Sequence, residues 1–128
     1  MIKKRTPSAV IPEPRNYLTF GFKDLRDVSY VNAKNDSGYF VDFIQHLRRF
    51  CSLNWNDVRT TQRHGLGTES IEVSSLKEGA KPLVPSGLTK LLVLRATGNN
   101  HAFLGYRDGS VFQVLFIEYK FGDIYNHG

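Results

Sequence analysis

The chain has 128 residues, of which 41% are hydrophobic and 23% are charged. This length supports one domain with a single core, and no apolar run approaches the roughly 20 residues that a membrane-spanning helix needs. The single cysteine, Cys51, excludes an internal disulfide and fits a reducing compartment, so we expect a cytoplasmic protein.

The basic residues are concentrated in the first half of the chain. The net charge is +5, and residues 1–64 contain eleven Lys/Arg against six Asp/Glu, whereas residues 65–128 contain six of each. A basic surface favours a nucleic acid or an acidic protein as partner, because neutralised phosphates release counterions. A basic protein without such a partner would have the same composition, so the charge alone leaves both interpretations open.

The first 16 residues differ from the rest of the chain. They begin with basic residues, lack the apolar core of a signal peptide and contain three prolines. We therefore predict a flexible basic arm at 1–16 and a single folded domain at 17–128. The domain opens with the strand pattern "YLTFGFK", in which Leu18, Phe20 and Phe22 alternate toward a core.

Two helices are predicted after this strand. Asp36 or Ser37 supplies the N-cap of the first helix. The apolar face of this helix is predicted to comprise Phe40, Phe43, Ile44, Leu47 and Cys51. Asn54 is predicted to cap the second helix, "WNDVRTTQ", and Asp57 lies in its first turn, where an anion suits the helix dipole.

The second half has the patterns of strands. "SIEVSSL", "LTKLLVLRAT", "HAFLGYR" and "SVFQVLFIEY" are the predicted strands, the second of them internal because it is apolar on both faces. Asp108–Gly109 predicts a two-residue type I′ hairpin turn that places Arg107 opposite Ser110 and His101 opposite Phe116. The order predicts an α+β fold, with two N-terminal helices packed on one face of a largely antiparallel sheet of four to five strands.

Metal and nucleotide motifs give no signal. The four histidines lack paired ligand spacing, and a second cysteine that could complete a zinc site is missing. "RHGLGTE" has two glycines but neither the spacing nor the following Lys-Ser/Thr of a phosphate-binding loop. We therefore expect no metal and no cofactor.

Basic residues cluster in the helical region and the turn after it. The cluster consists of Arg48, Arg49, Arg59, Arg63 and His64. Guanidinium groups grip phosphates bidentately, so these residues are the candidate RNA-binding ridge. A solvated helix face is the competing interpretation.

A second set of residues fits the chemistry of RNA cleavage without a metal. That reaction requires a base for the 2′-hydroxyl proton, cations for the charge on the phosphate and an acid for the leaving 5′-oxygen. The candidates that an antiparallel sheet can bring together are Arg95, His101, Arg107, Tyr125 and His127. Each also has an ordinary structural interpretation: Arg107 flanks a turn, His101 sits in a sheet, and residues 125–128 form a frayed end.

Two stretches of the second half carry a family resemblance. "LRATG" at 94–98 has a basic residue, a small residue and a glycine after a strand, and "SVFQVLFIEYKFGDIY" at 110–125 is an apolar strand ending near a tyrosine. With the order of elements, these features resemble the RelE/ParE superfamily of bacterial toxin–antitoxin toxins. The resemblance implies a RelE-like domain in which Arg95 and Tyr125 occupy the family's basic and tyrosine positions. His127 matches the C-terminal histidine of some ribosome-dependent members.

The resemblance also implies a function. RelE-like toxins are metal-independent endoribonucleases, hence hydrolases, that cut mRNA on the ribosome and are silenced by a cognate antitoxin protein. On this hypothesis Arg95 and Arg107 stabilise the phosphate, His101 or His127 transfers protons, and Tyr125 stacks or donates. The partners would be RNA, the ribosome and the antitoxin, with no membrane involved.

One departure from the family pattern keeps a second hypothesis open. After the glycine the family has a tyrosine and then a catalytic arginine, and this chain has Asn99 and Asn100, followed by His101. Family members that act on other targets, such as DNA gyrase, remain possible. The alternative is a non-catalytic phage- or plasmid-borne module that binds nucleic acid or an acidic protein through its basic half.

Overall fold

The computed structural model describes residues 17–60, 68–95 and 102–127, except for the side chains of Arg59, Thr60, Thr68 and Arg95. The predicted arm at 1–16 lies outside the described residues. Within the described ranges, no helix has the length and apolar character that crossing a membrane would require.

Two helices and five strands form the domain. They are β1 (Thr19–Gly21), α1 (Ser37–Phe50), α2 (Trp55–Thr60), β2 (Thr68–Glu72), β3 (Lys90–Arg95), β4 (Ala102–Asp108) and β5 (Val111–Ile117). Short 3₁₀ turns lie at Tyr30–Ala33, Val73–Ser75 and Lys81–Leu83. The predicted order of one strand, two helices and then further strands is confirmed.

The five strands form one mixed sheet in the order β1-β5-β4-β3-β2. Neighbours from β2 to β5 are antiparallel, whereas β1 pairs with β5 in parallel. The predicted α+β class with a mostly antiparallel sheet is therefore confirmed. The predicted internal strand is also confirmed, because β3 lies between β2 and β4.

Both helices begin at the predicted caps. The Asp36 side chain accepts a hydrogen bond from the backbone N–H of Tyr39 at 3.0 Å. In α2, Asn54 Oδ1 accepts from the Asp57 N–H at 2.8 Å, and Asp57 Oδ2 accepts from the Asn54 N–H at 3.2 Å. This reciprocal capping box satisfies two backbone donors that a helix start otherwise leaves without partners.

The buried face of α1 differs from the predicted one. Its buried residues are Tyr39, Phe43, Leu47 and Phe50. Ile44 is 60% exposed and Cys51 is exposed, so the prediction was wrong for these two residues. Two overlapping stripes have helical spacing, and the helix buries the one with the larger aromatic side chains, which remove more apolar surface from water.

Apolar side chains cover both faces of the sheet. The buried residues form two hydrophobic clusters, and consecutive residues of a strand belong to different clusters because side chains alternate between the two faces of a sheet. Leu94 and Phe103 lie in the first cluster, and Val93 and Leu104 lie in the second. The first cluster contains the buried residues of α1 and α2. The second contains residues 76 and 80 of the loop after β2 and residues 124 and 125. Burial on both sides explains the long apolar runs of the central strands.

The β4–β5 hairpin turns one residue later than predicted. Asp108 pairs with Val111, so the two-residue turn is Gly109–Ser110. Gly109 has φ 65°, and Ser110 is not among the residues with positive φ. A type I′ turn needs positive φ at both positions, so that prediction was wrong, and glycine at the first position fits type II′.

The later turn pairs Arg107 with Phe112 instead of Ser110. A bulge between Leu104 and Gly105 then shifts the register by one further residue, so that Phe116 pairs with Leu104. The predicted pairing of Phe116 with His101 is therefore wrong, because Phe116 pairs with Leu104. His101 itself lies outside the described residues. The bulge inserts one extra residue in β5, which a simple turn-based register does not anticipate.

The close approach of β5 to Gly105 beside the bulge leads us to predict a strict requirement for glycine at position 105. A Cβ atom there would overlap the carbonyl oxygen of Gln113, which is backbone and has little freedom to move. We expect Gly105→Ala to lower the free energy of unfolding by about 2 kcal/mol or more. The measurement is urea unfolding followed by the fluorescence of Trp55. Gly79→Ala is the matched control, since nothing lies within 4 Å of a Cβ at that position, and equal losses in both variants would contradict the prediction.

Candidate functional site

The C-terminal segment, residues 118–127, holds two of the candidate catalytic residues in the interior. His127 Nε2 lies 2.7 Å from Glu118 Oε1, and their side chains are 4% and 0% exposed. Tyr125 is buried in the second cluster, and its backbone pairs with Leu76 across the loop after β2. The end of the described chain is therefore packed against the rest of the domain.

Two aromatic rings enclose the His127 imidazole. Its ring centroid lies 3.9 Å from that of Phe121 and 3.9 Å from that of Tyr125, the latter in a stacked geometry. The remaining ring nitrogen, Nδ1, is buried and has no hydrogen-bond partner among the described residues. General acid–base catalysis requires a group within hydrogen-bond reach of the substrate, so action of His127 on RNA would require this segment to open.

Glu118 connects the C-terminal segment to helix α1. Its second carboxylate oxygen, Oε2, accepts a hydrogen bond from the Ile124 N–H at 2.9 Å. Its carbonyl oxygen accepts from the Tyr39 hydroxyl at 2.8 Å. Burial, and then the negative charge of Glu118, raise the pKa of Tyr39, which therefore stays a neutral donor.

A second set of hydrogen bonds also links the C-terminal segment to the start of helix α1. The Tyr119 hydroxyl donates to Asp36 Oδ2 at 2.9 Å, so the residue that caps α1 also contacts the C-terminal segment. This hydrogen bond is the main reason why the pKa of Tyr119 is raised. The Tyr119 N–H donates to Ser29 Oγ at 2.7 Å, and Ser29 Oγ donates to Asp123 Oδ2 at 2.6 Å. Residues 29, 36, 119 and 123 thus form one network.

Arg107 is the one candidate catalytic residue whose side chain is both described and exposed. Its guanidinium carbon lies 4.5 Å from the centroid of the Trp55 ring, and its Nε donates to the Gly109 carbonyl at 2.8 Å. Trp55 Nε1 in turn donates to the Ser110 carbonyl at 3.0 Å. These contacts orient the guanidinium and leave its terminal nitrogens, Nη1 and Nη2, without a carboxylate partner in the described part of the chain.

Arg48 and Arg49 are exposed in the last turn of α1. Cations suit the negative end of the helix dipole, which is one reason for their position. Four residues, 51–54, separate the end of α1 from Trp55, on which Arg107 lies. We call Arg48, Arg49 and Arg107 the arginine surface; Arg48 and Arg49 lie in the last turn of α1, and Arg107 lies on Trp55, the first residue of α2.

The other candidate residues are described in part or not at all. Arg63, His64 and His101 lie outside the described residues, and the side chains of Arg59 and Arg95 are not described. Arg59 belongs to α2, and Arg95 is the last residue of β3, where it pairs with Ala102. Over residues 17–60, 68–95 and 102–127, no group of three or more His, Cys, Asp or Glu is placed to hold a metal ion.

No family model, curated protein or solved structure matches this chain. The fold and the site therefore define only a class: an α+β domain with a basic helical junction and a tightly packed C-terminal segment.

Sequence reasoning did not single out Glu118 or Ser29. Glu118 directly follows the apolar strand β5, and a histidine stands nine positions later. An acidic residue at the end of a fully buried strand is a weak signal that it needs a nearby donor. Ser29 has positive φ, and no sequence pattern around it indicates this conformation.

The buried pair predicts strong coupling between Glu118 and His127. Replacing His127 by leucine leaves a buried carboxylate short of a partner, so we expect the free energy of unfolding to fall by about 3–5 kcal/mol. The double variant Glu118→Leu/His127→Leu should lose less than the sum of the two single variants, by at least about 1 kcal/mol. Urea denaturation of the four proteins measures this difference, and strictly additive losses would argue against the pair.

Proposed function

We propose that this chain is a non-catalytic nucleic-acid-binding domain and that the arginine surface contacts the phosphates. The observation that carries the proposal is three exposed guanidinium groups, at Arg48, Arg49 and Arg107, without carboxylate partners among the described residues. Three lysines behave differently and pair with acids: Lys23 with Asp24, Lys81 with Glu78 and Lys90 with Glu72. Part of the positive charge that no carboxylate neutralises is therefore carried by arginine.

Arginine suits this role for geometric reasons. Its planar guanidinium binds a phosphate through two parallel hydrogen bonds, and it loses little freedom when a ring already supports it. Arg107 rests on Trp55 in this way. Tyr17, which is 39% exposed, pairs through its backbone with Asn54 beside Trp55 and adds a ring on which a base can stack.

The burial of Tyr125 and His127 favours binding over cleavage. Both residues are held inside by contacts with Glu118, Phe121 and Leu76, so neither accompanies Arg107 at the surface. Phosphate contacts alone give affinity without base specificity. An acidic protein is the competing partner for the same guanidinium groups, and failure of both RNA and DNA to bind would favour it.

Charge neutralisation tests the arginine surface. We expect Arg48→Gln/Arg49→Gln to weaken binding to fluorescently labelled single-stranded RNA and duplex DNA about tenfold, and to reduce the slope of log K against log salt by about two. Fluorescence anisotropy across a salt series measures both quantities. Lys81→Gln/Lys90→Gln removes the same net charge from paired lysines and should leave binding unchanged. Equal losses in the two double variants would mean that only the net charge matters.

A RelE-like toxin is the second candidate function. The observation that favours it is the order of two helices followed by antiparallel strands, with Arg95 at the end of β3 beside Ala102, the residue after His101. On this proposal the protein cuts mRNA on the ribosome without a metal, and an antitoxin silences it. Arg95, Arg107 and His101 would form the site, and Tyr125 and His127 would join it only when the C-terminal segment opens.

RNA integrity distinguishes the two proposals. If the chain is a toxin, brief induction should shorten cellular mRNA and arrest growth, and Arg95→Ala/His101→Ala should abolish both effects. The measurement is northern analysis after induction, together with purified protein incubated with mRNA in the presence and absence of ribosomes. Intact mRNA under every condition leaves the binding domain as the function, and cleavage by the double variant would place the catalytic groups elsewhere.

A further inference from the structure

A cavity lies between three segments that are distant in sequence, residues 28–32, 77–80 and 123–124. Its volume is about 270 Å³. Its lining includes the apolar residues Val28, Ala80 and Ile124 and the polar or charged residues Asn32, Lys77 and Asp123. Small-molecule sites typically have volumes of about 300–1,000 Å³, so an occupant of this cavity is smaller than a nucleotide or a drug-sized ligand.

One wall of the cavity has a strained backbone. Ser29 has φ 65° and ψ −70°, and the Tyr30 N–H donates to the Val28 carbonyl at 2.8 Å, which closes a γ-turn of the rare positive-φ form. Such a conformation is unfavourable in a residue other than glycine and persists only where its surroundings impose it. Here Ser29 Oγ is held by Asp123 and by the Tyr119 N–H. Strain of this kind is concentrated at ligand sites.

The polar side chains of the cavity retain hydrogen-bonding capacity. Asp123 Oδ2 accepts from Ser29 and from the Lys120 N–H, whereas Oδ1 has no protein partner within the described ranges. The Lys77 ammonium and the Asn32 amide also have none there. Lys77 and Asp123 therefore line one cavity with opposite charges, and no ion pair joins them in the described part of the chain.

We propose that this cavity binds a small zwitterion of the α-amino-acid class. Asp123 would accept hydrogen bonds from the ligand ammonium, and Lys77 and Asn32 would bind its carboxylate. The apolar wall accommodates a short aliphatic side chain. A simple anion would meet the charge of Asp123, and a simple cation would meet that of Lys77, so selectivity requires both charges on one ligand. This proposal is independent of nucleic-acid binding.

Three probes of similar size test the need for both charges. L-alanine carries an ammonium and a carboxylate, propionate only the carboxylate, and ethylamine only the ammonium. Saturation-transfer NMR on the full chain should show L-alanine bound, with affinity at least about tenfold above either one-ended probe. Comparable binding of propionate and L-alanine, or no binding of L-alanine, would overturn the proposal.

Variants link the binding to the cavity. Lys77→Gln should weaken L-alanine binding about tenfold, while Lys81→Gln, which changes a lysine paired with Glu78, should leave it unchanged. Asp123→Asn retains an oxygen that can accept from Ser29, so it removes the charge while keeping that anchor, and should weaken binding similarly. Thermal unfolding of each variant establishes that it is folded. L-alanine binding that survives both Lys77→Gln and Asp123→Asn would place the ligand elsewhere.

Discussion

The buried carboxylate of Glu118 constrains the C-terminal segment, residues 118–127. An uncompensated buried charge costs several kcal/mol, so the groups that satisfy this carboxylate must stay in place. Those groups, the His127 imidazole and the Ile124 N–H, both belong to the segment that covers the second face of the sheet. Because the Glu118 carbonyl also accepts from Tyr39, the same residue joins this segment to helix α1.

The two proposed sites depend on different parts of the fold. The arginine surface rests on the α1–α2 junction and on the contact between Trp55 and the hairpin turn. The cavity rests on the strained turn at Ser29 and on its anchor, Asp123. The hydrogen bonds of Tyr119 and Asp36 connect the cavity to the arginine surface, because Asp36 caps the helix whose far end carries Arg48 and Arg49.

Features set by a few neighbouring residues could be predicted from the sequence, and features set across the sheet could not. The caps at Asp36 and Asn54 require only residues three positions away. The exposed position of Ile44 depends instead on which aromatic stripe of α1 meets Phe103. The bulge at Gly105 and the pairing of Glu118 with His127 arise from contacts between separate segments, for which a single sequence carries little signal.

The parallel pairing of β1 with β5 has a consequence for synthesis. Thr19 and Ser110, which share a hydrogen bond at this edge, are 91 positions apart. Closing so long a loop is entropically unfavourable until many other contacts have formed, and contacts of this range slow folding. During translation, residues 17–21 must therefore wait for β5 to leave the ribosome, and a nascent chain exposes the partly apolar edge strand to chaperones or to other chains in the meantime.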